Sequence, residues 1–326
     1  MKEEFKVPPV VLRLGAFVVL LAIIAGVFQS FAPSYLSNGN LHALLRHMSV
    51  NGLTAIGLTF VIVVRHFDLS FPGIASLGAM TIGWLLANDY SLYQSIGGGI
   101  AVGLLVGLIN GTAISYFRLP DIVTTIATGG VSVGLSYFYS NGTSLSDNFF
   151  GSGILDLNDA KVMTLDMPVV ILLIAGIIAF VVLHASRFGR AFYATGENKL
   201  SAVFSGVRVK AYVLAAFALC GAMACLAITL LVASSGAANV TAGSQLLMPA
   251  FAAVYLGAAL FGAPSIPATL AGTLLMSAML NGFTLLAIPY YYSDAIVSTV
   301  LIVAIGMFDP KLTSFIGGLF SSRPAR

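Results

Sequence analysis

The sequence predicts an all-α membrane protein with about ten transmembrane helices. Of its 326 residues, 58% are hydrophobic and only 8% are charged, whereas a soluble domain carries about 25% charged residues. So few charges could not cover a soluble fold of this length, but they suit a surface that faces lipid. The apolar residues also run in stretches long enough for a bilayer core of about 30 Å, which takes about 20 residues per helix. The 34 glycines also favour a membrane protein, because glycine is common in membrane helices and lets them pack closely.

Ten apolar stretches give the predicted spans, in the order 10–32, 43–64, 71–88, 94–117, 121–140, 167–186, 209–234, 246–262, 267–288 and 293–308. The third and the eighth are short and interrupted by proline or glycine. In transporters such broken spans often line the pathway, but a tilted or re-entrant packing helix would give the same pattern. The first span is expected to be an uncleaved anchor, because its apolar run is too long for a signal peptide. The whole chain, 1–326, is predicted to form one transmembrane domain.

Lysine and arginine set the predicted orientation, because they concentrate on the cytoplasmic side of membrane proteins. With the N-terminus inside, only Arg46 and Lys161 of the 15 basic residues fall outside or near the outer face. The other 13 fall in cytoplasmic segments: Lys2, Lys6, Arg13, Arg65, Arg118, Arg187, Arg190, Lys199, Arg208, Lys210, Lys311, Arg323 and Arg326. An even number of spans then places both the N-terminus and the C-terminus in the cytoplasm.

A weak internal repeat relates the two halves of the chain. The fourth span contains LING at 108–111, followed by PDIV at 120–123, and the ninth contains MLNG at 279–282, followed by DAIV at 294–297. Because five is an odd number, two five-helix halves would cross the membrane in opposite directions, as in many transporters with inverted repeats. Two short matches in an apolar sequence can also arise by chance.

The sequence has no motif for catalysis or metal binding. No lysine directly follows a glycine, which excludes the phosphate-binding loop of many ATPases, and neither H-E-x-x-H nor C-x-x-C occurs. The G-x-S-x-G stretch at 130–134 lies within an apolar span rather than at a strand-to-helix turn, and is interpreted as small-residue helix packing. Cys220 and Cys225 are interpreted as packing residues. We therefore predict no catalytic residue, no metal site and no cofactor, and the net charge of +3 is too small to suggest nucleic-acid binding.

The polar residues within the spans are almost all uncharged. Hydroxyl and amide groups suit a neutral, polyhydroxylated solute, but they serve equally to hold membrane helices together. The nearest acidic residues, Asp68, Asp121 and Asp294, lie at predicted span ends. This argues against coupling to protons or sodium ions and predicts that a partner supplies the energy. The candidate residues of a substrate pathway are Asn51, Thr54, Asp68, Ser70, Asn110, Thr124 and Asn281, of which Asn110 and Asn281 are the strongest, because a buried amide is costly without a partner.

Two predicted loops are large enough for a function of their own, an acidic outer loop at about 141–166 and a basic inner loop at about 187–208. In the inner loop, Gly196 and Gly206 can each end an element, with a short helix between them that begins at Glu197 or Asn198. Its apolar face would fit a groove on a cytoplasmic partner, although a basic loop resting on anionic lipid is an equal alternative. The candidate coupling residues are Gly196, Glu197, Asn198, Lys199, Leu200, Ser201, Ala202, Val203 and Phe204.

Three stretches resemble the permeases of ribose-type ABC transporters, within the branched-chain amino acid and simple-sugar permease superfamily. The inner loop is similar to the family pattern T-x-F-G-R-x-x-Y-A-x-G-x-N-x-x-A-A-x-x-S-G-I, with matches at Phe188, Gly189, Arg190, Tyr193, Ala194, Gly196, Asn198, Ala202, Ser205 and Gly206. RHFDLSFP at 65–72 resembles the family's G-G-I-D-L-S-V-G, and NG at 110–111 with RLPDIVT at 118–124 resembles N-G-x(6)-R-x-P-x-I-V-T. The chain departs from these patterns at Arg65-His66, Phe71-Pro72 and Lys199-Leu200, which leaves the detailed ATPase contact and the identity of the sugar open.

This resemblance implies a multi-pass subunit of the bacterial inner membrane, in an ATP-driven importer for a neutral monosaccharide or sugar alcohol. It implies a second permease copy or a paralogue, a cytoplasmic ATP-binding subunit on the coupling loop, and a periplasmic substrate-binding protein at the outer face. ATP would bind to the partner, so the chain itself would not be an enzyme. Related permeases carry nucleosides, a furanose signal or branched-chain amino acids. These cargoes stay open, as does a stand-alone secondary transporter or channel.

Overall fold

A computed structural model describes residues 9–308, and nearly all of the regular structure in that range is helical. Ten helices coincide with the predicted apolar stretches: α1 (Pro9–Phe31), α2 (Asn38–Val63), α3 (Phe71–Ala87), α4 (Leu92–Ser115), α5 (Asp121–Ser140), α8 (Met167–Phe180), α11 (Val209–Ser235), α12 (Leu247–Phe261), α13 (Ile266–Leu285) and α14 (Tyr290–Phe308). Four shorter helices lie between them: α6 (Phe149–Ser152), α7 (Asp156–Asp159), α9 (Arg187–Glu197) and α10 (Lys199–Phe204). A π-helical turn at Val181–Ala185 extends α8.

Within the described residues, seven helices are long and apolar enough to cross a membrane: Val11–Phe31, Leu92–Ser115, Asp121–Ser140, Met167–Ala185, Val209–Ser235, Ser244–Phe261 and Ile266–Leu285. The helix at Phe71–Ala87 is apolar but shorter. A mostly helical protein with several candidate membrane spans is therefore confirmed, whereas the number of crossings, the inverted repeat and the orientation of the termini stay predictions. Both chain termini, with Lys2, Lys6, Lys311, Arg323 and Arg326, lie outside the described residues, and so does the side chain of Asp294.

Local sequence accounts for many of the helix boundaries. Ser37, Ser91 and Ser265 each accept a hydrogen bond from the backbone N–H three residues on, and so begin α2, α4 and α13. Prolines stand in the first turns of α3, α8 and α13, where their missing N–H costs nothing. Gly236 and Gly262 follow the ends of α11 and α12 in the left-handed region, with φ of 68° and 90°.

The centre of the bundle is α11, which packs against α2, α3 and α4. Gly103, Gly107 and Gly111 lie four residues apart on the face of α4 that meets α11. A Cβ atom on Gly107 would overlap the carbonyl oxygen of Phe217, and one on Gly103 would overlap that of Gly221. The two helix backbones are therefore in direct contact, in the small-residue packing that is common between membrane helices.

One end of the bundle, which we call the basic end, is formed by α9, α10 and the connections at 64–70 and 116–120. The Tyr193 hydroxyl of α9 donates to the Pro264 carbonyl oxygen over 3.0 Å and so joins α9 to the turn before α13. Burial raises the pKa of Tyr193 to about 12, so this donor keeps its proton at any physiological pH. The start of α1 reaches the same end, where Arg13 Nη1 donates to the Phe261 carbonyl oxygen over 2.6 Å.

The opposite end, which we call the hairpin end, carries residues 141–166. We predicted a polar loop here, but the segment contains α6, α7 and an antiparallel hairpin of β1 (Lys161–Val162) and β2 (Leu165–Asp166). Leu145 exchanges backbone hydrogen bonds of 2.8 and 3.0 Å with Ala238, beyond the end of α11. Elements of two to four residues carry too little periodicity to be recognised in a sequence. The segment is therefore a folded cover on the bundle.

Candidate functional site

The predicted coupling residues lie at the basic end, on two helices that meet at Asn198. The side chain of Asn198 accepts from the backbone N–H of Ser201 over 3.0 Å and begins α10, as the sequence predicted. Gly206 follows this helix with a φ of 80°, a conformation that a side chain would oppose. Gly196 is the penultimate residue of α9, which ends at Glu197.

Close backbone contacts explain why glycines stand at two positions of α9. A Cβ atom on Gly189 would overlap the carbonyl oxygen of Leu183, and one on Gly196 would overlap that of Val63 at the end of α2. Gly196 stands in the last turn of α9, next to the boundary that the sequence predicted, and it also lets α9 lie directly on α2. The coupling segment is thereby fixed to the end of the bundle.

The outer face of α10 is a ridge of three large apolar side chains, which we call the α10 ridge. Leu200, Val203 and Phe204 are 68%, 55% and 82% exposed. Ala202, on the opposite face, is buried against the bundle. These three side chains form the apolar face that we expected on this short helix. Contiguous exposed apolar side chains mark a surface that contacts another protein or the membrane.

A chain of polar contacts joins α10 to α5. Lys199 Nζ lies 3.0 Å from His66 Nε2, and His66 Nδ1 lies 3.0 Å from Asp121 Oδ2 at the first residue of α5. This geometry fits a neutral imidazole that donates from Nδ1 to the carboxylate and accepts at Nε2 from the ammonium group. Burial and then the charge of Lys199 lower the pKa of His66, so the neutral ring is favoured. The backbone N–H of Phe67 adds a 3.0 Å bond to the same Asp121 oxygen.

A second polar cluster lies deep in the bundle, where α3 begins beside α4. Asp68, Ser70 and Asn110 are each fully buried. Asp68 Oδ1 accepts from the Ser70 backbone N–H over 2.8 Å and from the Ser70 hydroxyl, and Asn110 Nδ2 donates to Ser70 Oγ over 2.7 Å. Asp68 Oδ2 and Asn110 Oδ1 have no hydrogen bond of normal geometry, although the Cys220 thiol lies beside the carboxyl group. The structure thus brings together three of the seven predicted pathway residues.

The burial of Asp68 changes one sequence-based argument. The sequence placed this carboxyl group at a span end, where water would reach it. In the structure the 64–70 connection turns inward, and Arg65 adopts a left-handed φ of 61° at the turn. The side chain of Asp68 therefore has no exposed surface. A buried ionisable group in a membrane protein is a candidate functional residue. The sequence argument against ion coupling assumed that the bundle contains no such group, and Asp68 removes that assumption.

Three other predicted pathway residues make their side-chain contacts within their own segment of the chain, and none is hydrogen-bonded to this cluster. Thr54 donates to the carbonyl oxygen four residues before it, at 3.1 Å, and Thr124 does the same at 2.7 Å. Asn51 Nδ2 lies 3.2 Å from His47 Nδ1 on the same helix. All three are buried. Contacts within one helix are what helix-stabilising polar groups make, and a pathway role for these residues stays a prediction.

The seventh predicted residue, Asn281, lies near the hairpin end and pairs with Asn40. The two amides donate to each other, over 2.8 Å and 3.0 Å, and Asn40 Nδ2 also donates to the Tyr35 carbonyl oxygen over 2.7 Å. The Tyr35 hydroxyl in turn donates to the Ala278 carbonyl oxygen over 2.8 Å. This network ties α13 to the connection between α1 and α2, so that Asn281 satisfies its amide within the chain.

Asp166 organises the hairpin end. Its side chain is fully buried beneath Arg46, whose Nη2 donates to Oδ1 over 3.2 Å, and His42 Nδ1 lies 2.8 Å from Oδ2. Lys161 Nζ lies 3.9 Å from the same carboxylate. Hydrogen bonding from Arg46, with a smaller contribution from His42, lowers the pKa of Asp166 to about 2. Arg46 and Lys161 are the two basic residues that the sequence placed outside the cytoplasmic segments. Both of their side chains lie beside the carboxylate of Asp166.

The contacts that sequence reasoning missed are those between distant segments. His66 and Lys199 are 133 positions apart, and nothing in either local sequence predicts their contact.

Among the described residues, no three His, Cys, Asp or Glu side chains are grouped so that they could hold a metal ion. The serine of the G-x-S-x-G stretch, Ser132, donates to the Thr128 carbonyl oxygen over 2.8 Å within its own helix.

Comparison with known proteins gives one consistent result over nearly the whole chain. The ribose import permease protein RbsC of Bacillus subtilis is 30% identical over 301 residues, which cover 92% of this chain and 93% of the relative. The D-allose transport system permease protein AlsC of Escherichia coli is 30% identical, covering 90% and 91%. The autoinducer 2 import system permease protein LsrC of Escherichia coli is 31% identical, covering 90% and 85%.

The family model that matches is the permease component of the branched-chain amino acid transport system, over residues 40–305. This range includes the coupling segment, the buried Asp68 cluster and every helix from α3 to α13. The resemblance inferred from three short motifs is thereby confirmed on a much longer alignment. The chain belongs to the branched-chain amino acid transport system permease component family.

Proposed function

We propose that this chain is the membrane-spanning permease subunit of an ATP-driven importer, and that it moves a neutral monosaccharide or sugar alcohol into the cytoplasm. The α10 ridge carries this proposal. An ATP-binding subunit that covers Leu200, Val203 and Phe204 would remove three exposed apolar side chains from water. The contacts from Lys199 through His66 to Asp121 would then pass a displacement of α10 to α5.

A sugar cargo is supported by two observations. Relatives named as ribose and allose permeases align with more than nine-tenths of their own length. Apart from Asp68, the buried side chains named as pathway candidates are hydroxyls and amides, which hydrogen-bond sugars without attracting ions. ATP would bind the partner, so this subunit would not itself be an enzyme.

The proposed arrangement has ten crossings in two inverted halves, with both termini in the cytoplasm. Asn110 lies five residues before the end of α4, toward the basic end, and Asn281 four residues before the end of α13, toward the hairpin end. Such equivalent positions at opposite ends are what an inverted repeat requires. The partners would be an ATP-binding subunit at the basic end, a periplasmic binding protein at the hairpin end, and a second permease copy or a paralogue in the same bacterial inner membrane.

Two substitutions on the α10 ridge test the ATPase contact. Leu200→Asp and Phe204→Asp together would place two carboxylates in an apolar interface, whereas Phe150→Asp changes a side chain that is 92% exposed at the hairpin end. We expect the double variant to insert normally but to lose substrate-stimulated ATP hydrolysis and uptake in proteoliposomes that contain both partners. Phe150→Asp should keep ATP hydrolysis. Normal coupled uptake by the double variant would show that the contact lies elsewhere.

The buried carboxyl group of Asp68 favours a second candidate function, a stand-alone transporter coupled to an ion gradient. Asp68→Asn separates the two, because the amide keeps the shape and can still accept from Ser70 but has neither an ionisable proton nor a negative charge to attract a cation. ATP-driven uptake should continue in this variant. Uptake driven by a proton or sodium gradient without any ATPase, and abolished by Asp68→Asn, would support the alternative instead.

The cargo itself is tested on the binding protein. Nucleosides, a furanose signal and branched-chain amino acids are the alternatives, the second because a relative is named as an autoinducer 2 permease. Thermal-shift screening of the cognate binding protein should give its largest stabilisation with a monosaccharide or sugar alcohol. Stabilisation by leucine-like ligands alone would exclude the sugar.

A further inference from the structure

A furrow on the outside of the bundle runs along α8 toward the basic end. Its deeper part, with a volume of about 310 Å³, lies between α8 and α11. Ile56 and Phe60 of α2 form the floor, and Ile178 and Met223 belong to the two walls. The lining of this part is almost wholly aliphatic or aromatic, so it offers no hydrogen bond to a polar ligand.

Toward the basic end the furrow opens into a second cavity, of about 900 Å³, between α9 and α11. Val182 and Leu219 line both cavities, so the two form one continuous surface. Cavities of about 300–1,000 Å³ are the usual size of ligand sites. Unlike the deeper part, the mouth carries charge, because Arg187 and Arg208 line it together with Ser205.

The packing of the helices explains why the furrow is open. α8 and α11 both pack on α2, which lies between them and keeps their surfaces apart. At the basic end the chain turns at Ser186, whose backbone is extended, and α9 begins after it. The Phe192 ring of α9 packs edge-on against Phe60 and Tyr212, with centroid distances of 5.3 and 5.0 Å. These aromatic contacts hold α9 across the mouth, so the furrow belongs to the fold.

The two arginines of the mouth have no acidic partner. Both are exposed, and neither forms an ion pair or a side-chain hydrogen bond with any described residue. The guanidinium of Arg187 lies only over the ring of Phe188, 5.2 Å from its centre. Two uncompensated positive charges therefore stand where an apolar furrow reaches the end of the membrane-spanning helices.

We propose that this furrow binds an anionic glycerophospholipid, with one acyl chain between α8 and α11 and the phosphate between Arg187 and Arg208. The aliphatic lining suits a hydrocarbon chain, and the two guanidinium groups form strong charge-assisted hydrogen bonds with phosphate oxygens. Basic pockets between membrane helices bind anionic headgroups in this way. An apolar helix of another protein would fill the furrow but leave both arginines unpaired, so the charge at the mouth selects the lipid.

The test measures lipid retention by the full chain. The protein, purified in mild detergent, is mixed with phosphatidylglycerol or phosphatidylcholine of matched chains, and bound lipid is counted by native mass spectrometry. We expect selective retention of phosphatidylglycerol. In Arg187→Ala with Arg208→Ala the affinity should fall about thirtyfold, since each basic residue near the headgroup contributes about 1 kcal/mol. Arg190→Ala removes a charge from the same helix but outside the furrow, and should keep the selectivity.

Further arms distinguish the other occupants. Ala215→Trp narrows the cavity at the mouth and should weaken binding of both lipids. In Ile178→Cys, phosphatidylglycerol should protect the new thiol from a maleimide, against a low background because Cys220 and Cys225 are buried. Equal retention of the two lipids, unchanged binding in the double arginine variant, or equal protection by inorganic phosphate alone would each overturn the proposal. So would protection that rises with protein concentration and not with lipid, because a second copy would then cover the furrow.

Discussion

The contact between α4 and α11 makes a graded prediction for three glycine-to-alanine variants. A Cβ atom on Gly107 would meet backbone, overlapping the Phe217 carbonyl oxygen and lying 2.8 Å from the Ala218 Cα. A Cβ atom on Gly98 would overlap the Cδ1 of Leu85, 2.6 Å away at the end of a flexible side chain, and would meet Thr81 Cγ2 at an ordinary 3.9 Å. On Gly130 it would meet nothing within 4 Å. The three positions are all helical and differ in what must move.

The magnitudes follow from these contacts. Gly130→Ala should stabilise the protein by up to about 1 kcal/mol, the difference in helix propensity. Gly107→Ala gains the same propensity but forces two backbones apart, and overpacking of this kind costs about 1–3 kcal/mol. We place its cost at the upper end, because a backbone moves only with its whole helix. Gly98→Ala should lie between them, since the Leu85 side chain can rotate away.

Unfolding in mixed micelles with increasing SDS measures these differences. Gly130→Ala should be more stable than the wild type, and Gly107→Ala should be the least stable of all. The stability of Gly98→Ala should lie between those of Gly130→Ala and Gly107→Ala. Equal stability of Gly107→Ala and Gly130→Ala would refute the direct backbone contact. If Gly107→Ala fails to fold, the difference between Gly98→Ala and Gly130→Ala still tests the ranking.

Two further predictions concern charged groups. The pKa of Asp166 is lowered to about 2 by Arg46, so the ionised carboxylate stabilises the folded protein by at most about 2 kcal/mol. This stabilisation is fully present above about pH 5 and is lost as the pH falls toward 2. Asp166→Asn should remove that acid-dependent loss in thermal melts, and an unchanged acid profile would contradict this assignment. The positive charge of Lys199 lowers the pKa of His66, so Lys199→Met should raise the pKa of His66, measured by NMR of labelled histidine. Lys210 is the control, because its Nζ lies over the Tyr116 ring. Lys210→Met should leave the pKa of His66 unchanged.

The sequence predicted long apolar helices well because length and composition decide them. α5 begins at Asp121 and ends at Ser140, the predicted bounds, since Pro120 precedes it and Asn141 takes up a left-handed conformation after it. The start of α10 was equally legible, because a capping side chain acts within three residues of its own position. In both cases the residues that set the helix boundary lie within one helical turn of it.

Features that depend on distant segments could not be predicted in this way. Asp68 follows a helix in the sequence, as an exposed residue would, and only the packing of α3 on α4 and α11 buries it. The G-x-S-x-G stretch was interpreted as close packing, yet a Cβ atom on Gly130 or Gly134 would meet nothing, while the neighbouring Gly129 lies against the first turn of α3. The packing of the whole bundle decides which side of a helix meets a neighbour. A uniformly apolar helix has no polar face, so its sequence does not indicate which side is buried.

The glycine contacts of α4 and α11 also bear on how such a machine can move. Helices that interlock through their backbones have no side chains whose rotation could accommodate sliding, so the pair must travel as one rigid body. In any alternation between conformations, we therefore expect α4 and α11 to keep their mutual packing and the change to take place at the contacts of this pair with other helices.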